Sequence, residues 1–228
     1  MEKNNKHQCS HCNKDFLKES SLMVHMCEPK RRYQEQNEAG VQLGLHAYLK
    51  FYEIAQGSSK FKTFDDFAKS AYYKAFVKFG RYCRQIRAVN TARFIEWVVR
   101  KNKKIDNWCS DKTYTEYLSQ YVLEEQAVDA VARAIETSLD WQETTGNPSH
   151  DYLRFGNRNS ISHAITTGRI TGWVLYNSSS GQELLESLNQ EQVSIVWSWI
   201  NPDIWSRKFH DYPADAEYTK HILQQAGW

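Results

Sequence analysis

The sequence predicts a mainly α-helical chain, in which a small cysteine-rich N-terminal module precedes two small helical domains. Apolar residues recur at spacings of three and four through most of the chain, and strict alternation is hard to find. Only four prolines and ten glycines punctuate 228 residues that are 41% hydrophobic, 14% aromatic and 25% charged. That composition suits a folded protein and excludes collagen-like and disordered classes. Three of the five cysteines crowd into residues 9–27, while Cys83 and Cys109 stand alone. An odd, clustered set argues for an intracellular chain with cysteines on a metal rather than in disulfides.

Residues 1–29 form the polar module, closed by Pro29 and followed by the basic hinge Lys30-Arg31-Arg32. Beyond Tyr33 a helical stripe carries Val41, Leu45, Tyr48, Leu49 and Tyr52 until Gly57-Ser58-Ser59 breaks it. Thr63 with Asp66 resembles a capping box. It opens a helix with Phe67, Ala71, Ala75, Phe76 and Phe79 on one stripe, ending near Gly80. Phe94, Ile95, Val98 and Val99 mark the next helix, before the charged turn at 100–104. Ser110 or Asp111 caps a long helix bearing Tyr114, Tyr117, Leu118, Tyr121, Val128, Val131 and Ile135. The stretch 144–149 reads as a linker, which sets the domains at 1–29, 30–146 and 147–228. In the last domain 192–200 and 214–226 read as helices, between segments punctuated by Gly156, Gly168, Gly172 and Pro202. Trp173, Trp197, Trp199 and Trp205 read as core, whereas Trp228 at the terminus reads as an exposed partner-docking peg.

The net charge of +2 conceals a strong asymmetry. Residues 60–104 hold thirteen Lys/Arg against three acids, a net of +10; residues 105–146 carry −7. Such a block suggests a surface that faces a polyanion. No apolar run is long enough to span a membrane, and MEKNNKHQCSHC lacks the apolar core of a signal peptide, so the expected location is the cytoplasm, the host's if the protein is viral.

Cys9-x2-Cys12 is separated by twelve residues from His25, and Cys27 follows closely. With Phe16 and Leu22 between them, the run reads C-x2-C-x3-F-x5-L-x2-H, which resembles the two-cysteine, two-histidine zinc finger over roughly the first 30 residues. The resemblance implies a zinc ion and a ββα module whose miniature core is Phe16 and Leu22. So short a segment cannot bury enough surface to fold without its metal. The fourth ligand departs from the family pattern, because Pro29, Lys30 and Arg31 occupy its usual positions. Cys27 is the favoured substitute, with His7 and His11 open. The family's base-facing positions fall on Lys18, Ser21 and Val24, a poor set for reading sequence.

Lys69, Tyr73, Lys74, Lys78, Arg81, Arg84 and Arg87 fall largely opposite an apolar stripe. Lys101, Lys103 and Lys104 form a second cationic cluster. Cations with interleaved tyrosines suit phosphate neutralisation and base stacking, so these residues, with Lys18, Lys30, Arg31 and Arg32, are the candidate DNA contacts. The acidic stretch with Glu124, Glu125, Asp129, Glu136 and Asp140 suits either a basic partner or packing against the basic helices. No P-loop, dinucleotide glycine pattern, H-E-x-x-H or G-x-S-x-G occurs, and no catalytic residue is singled out.

From about Tyr72 the chain resembles the helicase-loading replication proteins of large tailed phages. The likeness rests on Tyr73-Lys74-x-Phe76, Phe94-Ile95-x-x-Val98, Asn107-Trp108, Tyr114 to Tyr121 and Ile170-Thr171-Gly172-x-x-Leu175. It implies a non-enzymatic accessory protein that grips branched DNA and recruits a helicase, single-strand binding protein or polymerase component. The sequence therefore favours a zinc-bearing DNA-binding accessory protein. An interaction adaptor in transcription or virion assembly is the alternative, and a metal-dependent nuclease a further one.

Overall fold

A computed structural model describes residues 7–57 and 61–228, and the expectation of a mainly α fold holds. The chain divides by compactness between Tyr114 and Thr115. In the first unit a two-residue hairpin, β1 (His7–Gln8) with β2 (Asp15–Phe16), pairs antiparallel with His7 opposite Phe16. Helices α1 (Glu19–Met23), α2 (Glu28–Gln34), α3 (Ala39–Gln56), α4 (Phe64–Lys69), α5 (Tyr73–Gln85) and α6 (Thr91–Arg100) follow. Ser58 and Ser59, expected to end the α3 stripe, lie outside the described residues; Gly57 closes the helix with φ 70°.

The helix expected from Thr63 to Gly80 is two helices. The Thr63–Asp66 capping box is present and opens α4. Ser70 then turns extended, and its hydroxyl accepts from the Tyr72 N–H at 3.1 Å before α5 begins. Gly80 does not end a helix. It sits inside α5 where α3 crosses, and a Cβ there would fall 2.0 Å from the Gly40 carbonyl oxygen. Gly44 meets the Phe76 carbonyl oxygen in the same way, at 2.7 Å. A mid-helix glycine costs about 1 kcal/mol in propensity, which the close crossing offsets by burying Phe76, Phe79, Phe94 and Trp108 almost completely. Trp108 receives the edges of Phe76 and Phe79, and its indole N–H donates to the Lys103 carbonyl at 2.8 Å.

Helix α7 (Asp111–Glu124) carries the boundary, and Ser110 caps it by accepting from the Thr113 N–H. The second unit continues with α8 (Ala127–Thr145), α9 (Tyr152–Phe155), α10 (Arg158–Thr166), α11 (Gly172–Leu175), α12 (Ser179–Ser187), α13 (Gln190–Ile200), α14 (Pro202–Asp211) and α15 (Pro213–Gln225). The expected single helix through Ile135 breaks after Glu124. Lys208 reaches from α14 and donates to the Val122, Leu123 and Glu125 carbonyls, satisfying the end of α7. The linker-like stretch 144–149 closes a helix inside this unit: Gly146 caps α8 at φ 75°, and Tyr152 and Leu153 re-enter the core that Val131 and Ala134 began. Trp173 and Trp205 are core residues as expected, whereas Trp197 is half exposed. Trp228 corrects the expectation of a docking peg. It is 6% exposed, belongs to the core with Leu223, and donates its N–H to the Leu223 carbonyl.

Candidate metal centre and the cationic groove beside it

The β1–β2 turn builds half of the metal centre. Asn13, left-handed at φ 58°, donates to the Cys9 carbonyl at 2.8 Å, and the Cys9 N–H donates to the Lys14 carbonyl at 3.0 Å. The loop is thereby wrapped around its own sulfurs. Backbone N–H groups of His11 and Cys12 point at the Cys9 thiol and hold it below the usual range. The Lys14 N–H does the same for Cys12, but burial and the neighbouring Cys9 and Cys27 sulfurs together raise that thiol.

The other half comes from the link between α1 and α2. The finger helix stops at Met23, so His25 lies outside it, and Cys27 is the N-cap residue of α2. The ligand atoms of Cys9, Cys12, His25 and Cys27 all lie within 4.8 Å of one another, a set able to hold a metal ion. Cys9 Sγ is 3.9 Å from Cys27 Sγ, and Cys12 Sγ is 3.3 Å from His25 Nε2. Phe16 packs tilted against the His25 ring at 4.7 Å, and Lys30 donates to the His25 carbonyl at 3.3 Å. Cys27 thus stands in the fourth position. His11 instead faces the Tyr33 ring, at 5.1 Å.

Helix α2 starts at Cys27 of this cluster, and its side chains tie the module to the helices behind it. Arg32 donates to the Ala68 carbonyl at 2.7 Å and to Glu28 at 2.6 Å, and lies over the Tyr73 ring at 4.5 Å. Tyr33 donates to Asp65 on α4. Between α2 and α5 runs a groove of about 580 Å³ whose cations are Arg31, Arg32, Lys74, Lys78 and Arg81, with Glu28 and Glu35 among them.

Burial and pairing sort the predicted DNA contacts. Arg31, Lys78, Arg84, Arg87, Lys101 and Lys104 are exposed, as is Lys18 at the start of α1. Lys74 pairs with Glu28 at 3.2 Å, Lys69 with Asp65, and Arg81 with Glu38 through a two-point contact at 2.9 and 2.5 Å. These contacts hold Glu28, Asp65 and Glu38 below the ordinary carboxylate range. The +10 block is therefore partly answered from outside itself, by acids of α2 and of the turn before α3. Tyr73 corrects the stacking expectation: it is 5% exposed, and burial raises its hydroxyl. Lys101 and Lys103 lie near the Trp97 ring at 5.9 and 5.5 Å. Cys83 is buried and pushed up to about 12, chiefly by desolvation, in keeping with a structural role.

Sequence reasoning missed one polar network, in the second unit. Glu125 is buried, so it cannot meet a partner with the rest of the acidic stretch; Arg133 Nη2 donates to both its carboxylate oxygens, at 2.9 and 2.7 Å. Arg133 Nε donates to the Gly168 carbonyl at 2.7 Å, and Lys208 lies over Trp173 and Trp205. The available signal was charge scarcity: Arg133 and Lys112 are the only cations in residues 105–146.

No protein family, curated protein or solved structure matches this chain significantly, so the likeness to helicase-loading proteins rests on its residues alone. No helix among the described residues is long and apolar enough to cross a membrane.

Proposed function

We propose that the protein is a zinc-bearing accessory factor that binds DNA through its phosphates. Convergence of Cys9, Cys12, His25 and Cys27 carries the zinc assignment. Zn–S bonds of about 2.3 Å in a tetrahedron set ligand atoms about 3.8 Å apart, close to the 3.9 Å between Cys9 and Cys27. Three thiolates and one imidazole are a donor set that zinc favours, and the closed, four-ligand geometry is structural in kind. The metal would fix the start of α2 and with it one wall of the cationic groove. Zinc content of about one per chain is expected, lost with Cys9→Ser. Chelation should unfold residues 9–27 while the tryptophan fluorescence of the second unit stays unchanged. A folded, metal-free N-terminus overturns the assignment.

The cations around the α2–α5 groove support phosphate contact, and the finger itself does not suit base reading. Helix α1 is five residues long, with exposed Val24 rather than a polar reader at one base-facing position. Affinity for DNA should fall steeply with salt, and Arg81, Arg84 and Arg87 changed together to Ala should flatten that slope. Salt-indifferent affinity overturns the reading. One observation favours the adaptor alternative: Leu17, Met23, Val24 and Met26 of the finger are 76%, 74%, 83% and 47% exposed. An apolar finger surface suits protein docking, and a pull-down that loses its partner with Met23→Asp/Val24→Asp would favour that reading.

A further inference from the structure

Two residues that line the α2–α5 groove each carry a polar atom that the protein itself leaves unanswered. The Tyr73 hydroxyl and Arg32 Nε are both buried with no hydrogen-bond partner, and both residues line the recess. Tyr73 is more than nine-tenths buried, and its hydroxyl lies in the field of Glu35 and Arg81 on the groove walls. The groove lining holds five cations, Arg32 among them, against two acids. Lys74, Lys78 and Arg81 stand at i, i+4 and i+7 of α5, about 6 and then about 4.5 Å apart along the helix axis. Lys78 and Arg31 make no ion pair among the described residues, while Glu28 bridges Arg32 and Lys74 as a phosphate would.

We propose that this groove is a phosphate cradle for a single nucleic-acid strand. Successive phosphodiesters displace Glu28 and Glu35 from Lys74 and Arg81, and as Arg32 shifts on losing Glu28 the Tyr73 hydroxyl and Arg32 Nε–H, closed to solvent in the unbound chain, become donors to the deepest phosphate. This rests on the DNA-binding reading and narrows it to one strand. A duplex keeps its phosphates on the outside of a stiff rod, which reaches the rim cations but not a buried hydroxyl on the floor. A single strand is thin and flexible enough to enter. Recognition ignores base identity, because the Tyr73 ring is buried between Arg32, at 4.5 Å, and Phe67, at 4.7 Å, and is not open to stacking.

The test is fluorescence anisotropy of the full chain with a labelled oligothymidylate of about 16 nucleotides and a duplex of equal length, across a salt series. The strand should bind more tightly than the duplex. Lys74→Ala/Lys78→Ala should lower the log–log salt slope by about 1.4, or about 0.7 per lost contact. Glu28→Gln should raise affinity severalfold, because it removes the resident competitor. Tyr73→Phe should lower affinity severalfold and leave the slope unchanged. If the wild type binds neither probe, the cradle and the DNA-binding reading both fall. Tighter duplex binding, or an unchanged slope in a Lys74→Ala/Lys78→Ala protein with wild-type circular dichroism, overturns the cradle and leaves DNA binding to other faces. Polyglutamate competing as well as the oligonucleotide also overturns it, assigning the groove to an acidic protein.

Discussion

Arg81 of the first unit keeps its ion pair at the surface, and Arg133 of the second keeps its in the core. Arg81 and Glu38 are 51% and 41% exposed, whereas Arg133 and Glu125 are 16% and 0% exposed. Both are two-point contacts of similar length, Arg81 using Nε and Nη2 and Arg133 using Nη2 alone, so length does not distinguish them. Surroundings do. An exposed pair is worth little, because water and salt answer both charges when it opens. A buried pair has no such substitute, and losing one member strands the other. The same chemistry is thus exchangeable in the groove and fixed in the core. Only the exchangeable kind can hand a cation to an arriving phosphate.

The largest effect should come from breaking the buried pair. Arg133→Met removes the donor to Glu125 and to the Gly168 carbonyl, leaving a buried carboxyl group and a buried carbonyl without their partner. The expected loss is about 3–5 kcal/mol, read by urea unfolding followed through the tryptophans. Combining it with Glu125→Met should recover most of that loss, because an apolar pair of similar volume needs no solvation. A single variant within ~1 kcal/mol of wild type would erase the distinction between the two regions.

Next in size is a pH dependence with an unusual sign. Burial raises Glu125 to about 7 from an ordinary 4.5, against the pull of Arg133. Between those values the folded chain binds more protons at this site than the unfolded chain. This contribution is therefore fully present below about 4.5 and lost as pH rises toward about 7. Carboxylates paired at the surface, such as Glu28 and Glu38, are held low and slope the other way. The measurement is thus a difference: Glu125→Gln should lack the downward component that wild type shows between pH 4.5 and 7. Parallel curves would show that Arg133 keeps Glu125 ionised throughout.

What was legible in the sequence follows the same division between local and distant causes. The cysteine–histidine cluster could be read because Cys9, Cys12, His25 and Cys27 lie close along the chain, with Phe16 and Leu22 between them. The Thr63–Asp66 box could be read because both of its hydrogen bonds span three residues. The break after Glu124 could not, since its cause is Lys208, more than eighty residues away. Nor could the pairing of Arg81, whose acids lie 43 and 46 residues upstream. Tyr73 and Trp228 misled for a related reason. An aromatic at a helix start or a chain end has no periodic neighbour to reveal whether a core reaches it.

The smallest effect on stability is the one that most sharpens the comparison. Glu38→Gln removes the carboxylate that holds Arg81 and keeps a side chain of the same size. Because both partners are about half exposed, stability should change by less than about 1 kcal/mol. Binding should change more visibly. Freed from Glu38, Arg81 becomes available to phosphate, so affinity for nucleic acid rises and the salt slope steepens by about 0.7 for a single strand. Arg81→Ala should do the reverse at equally little cost to folding. If both substitutions leave affinity untouched, Arg81 is committed to α3 rather than to a ligand, and the exposed pair is as fixed as the buried one.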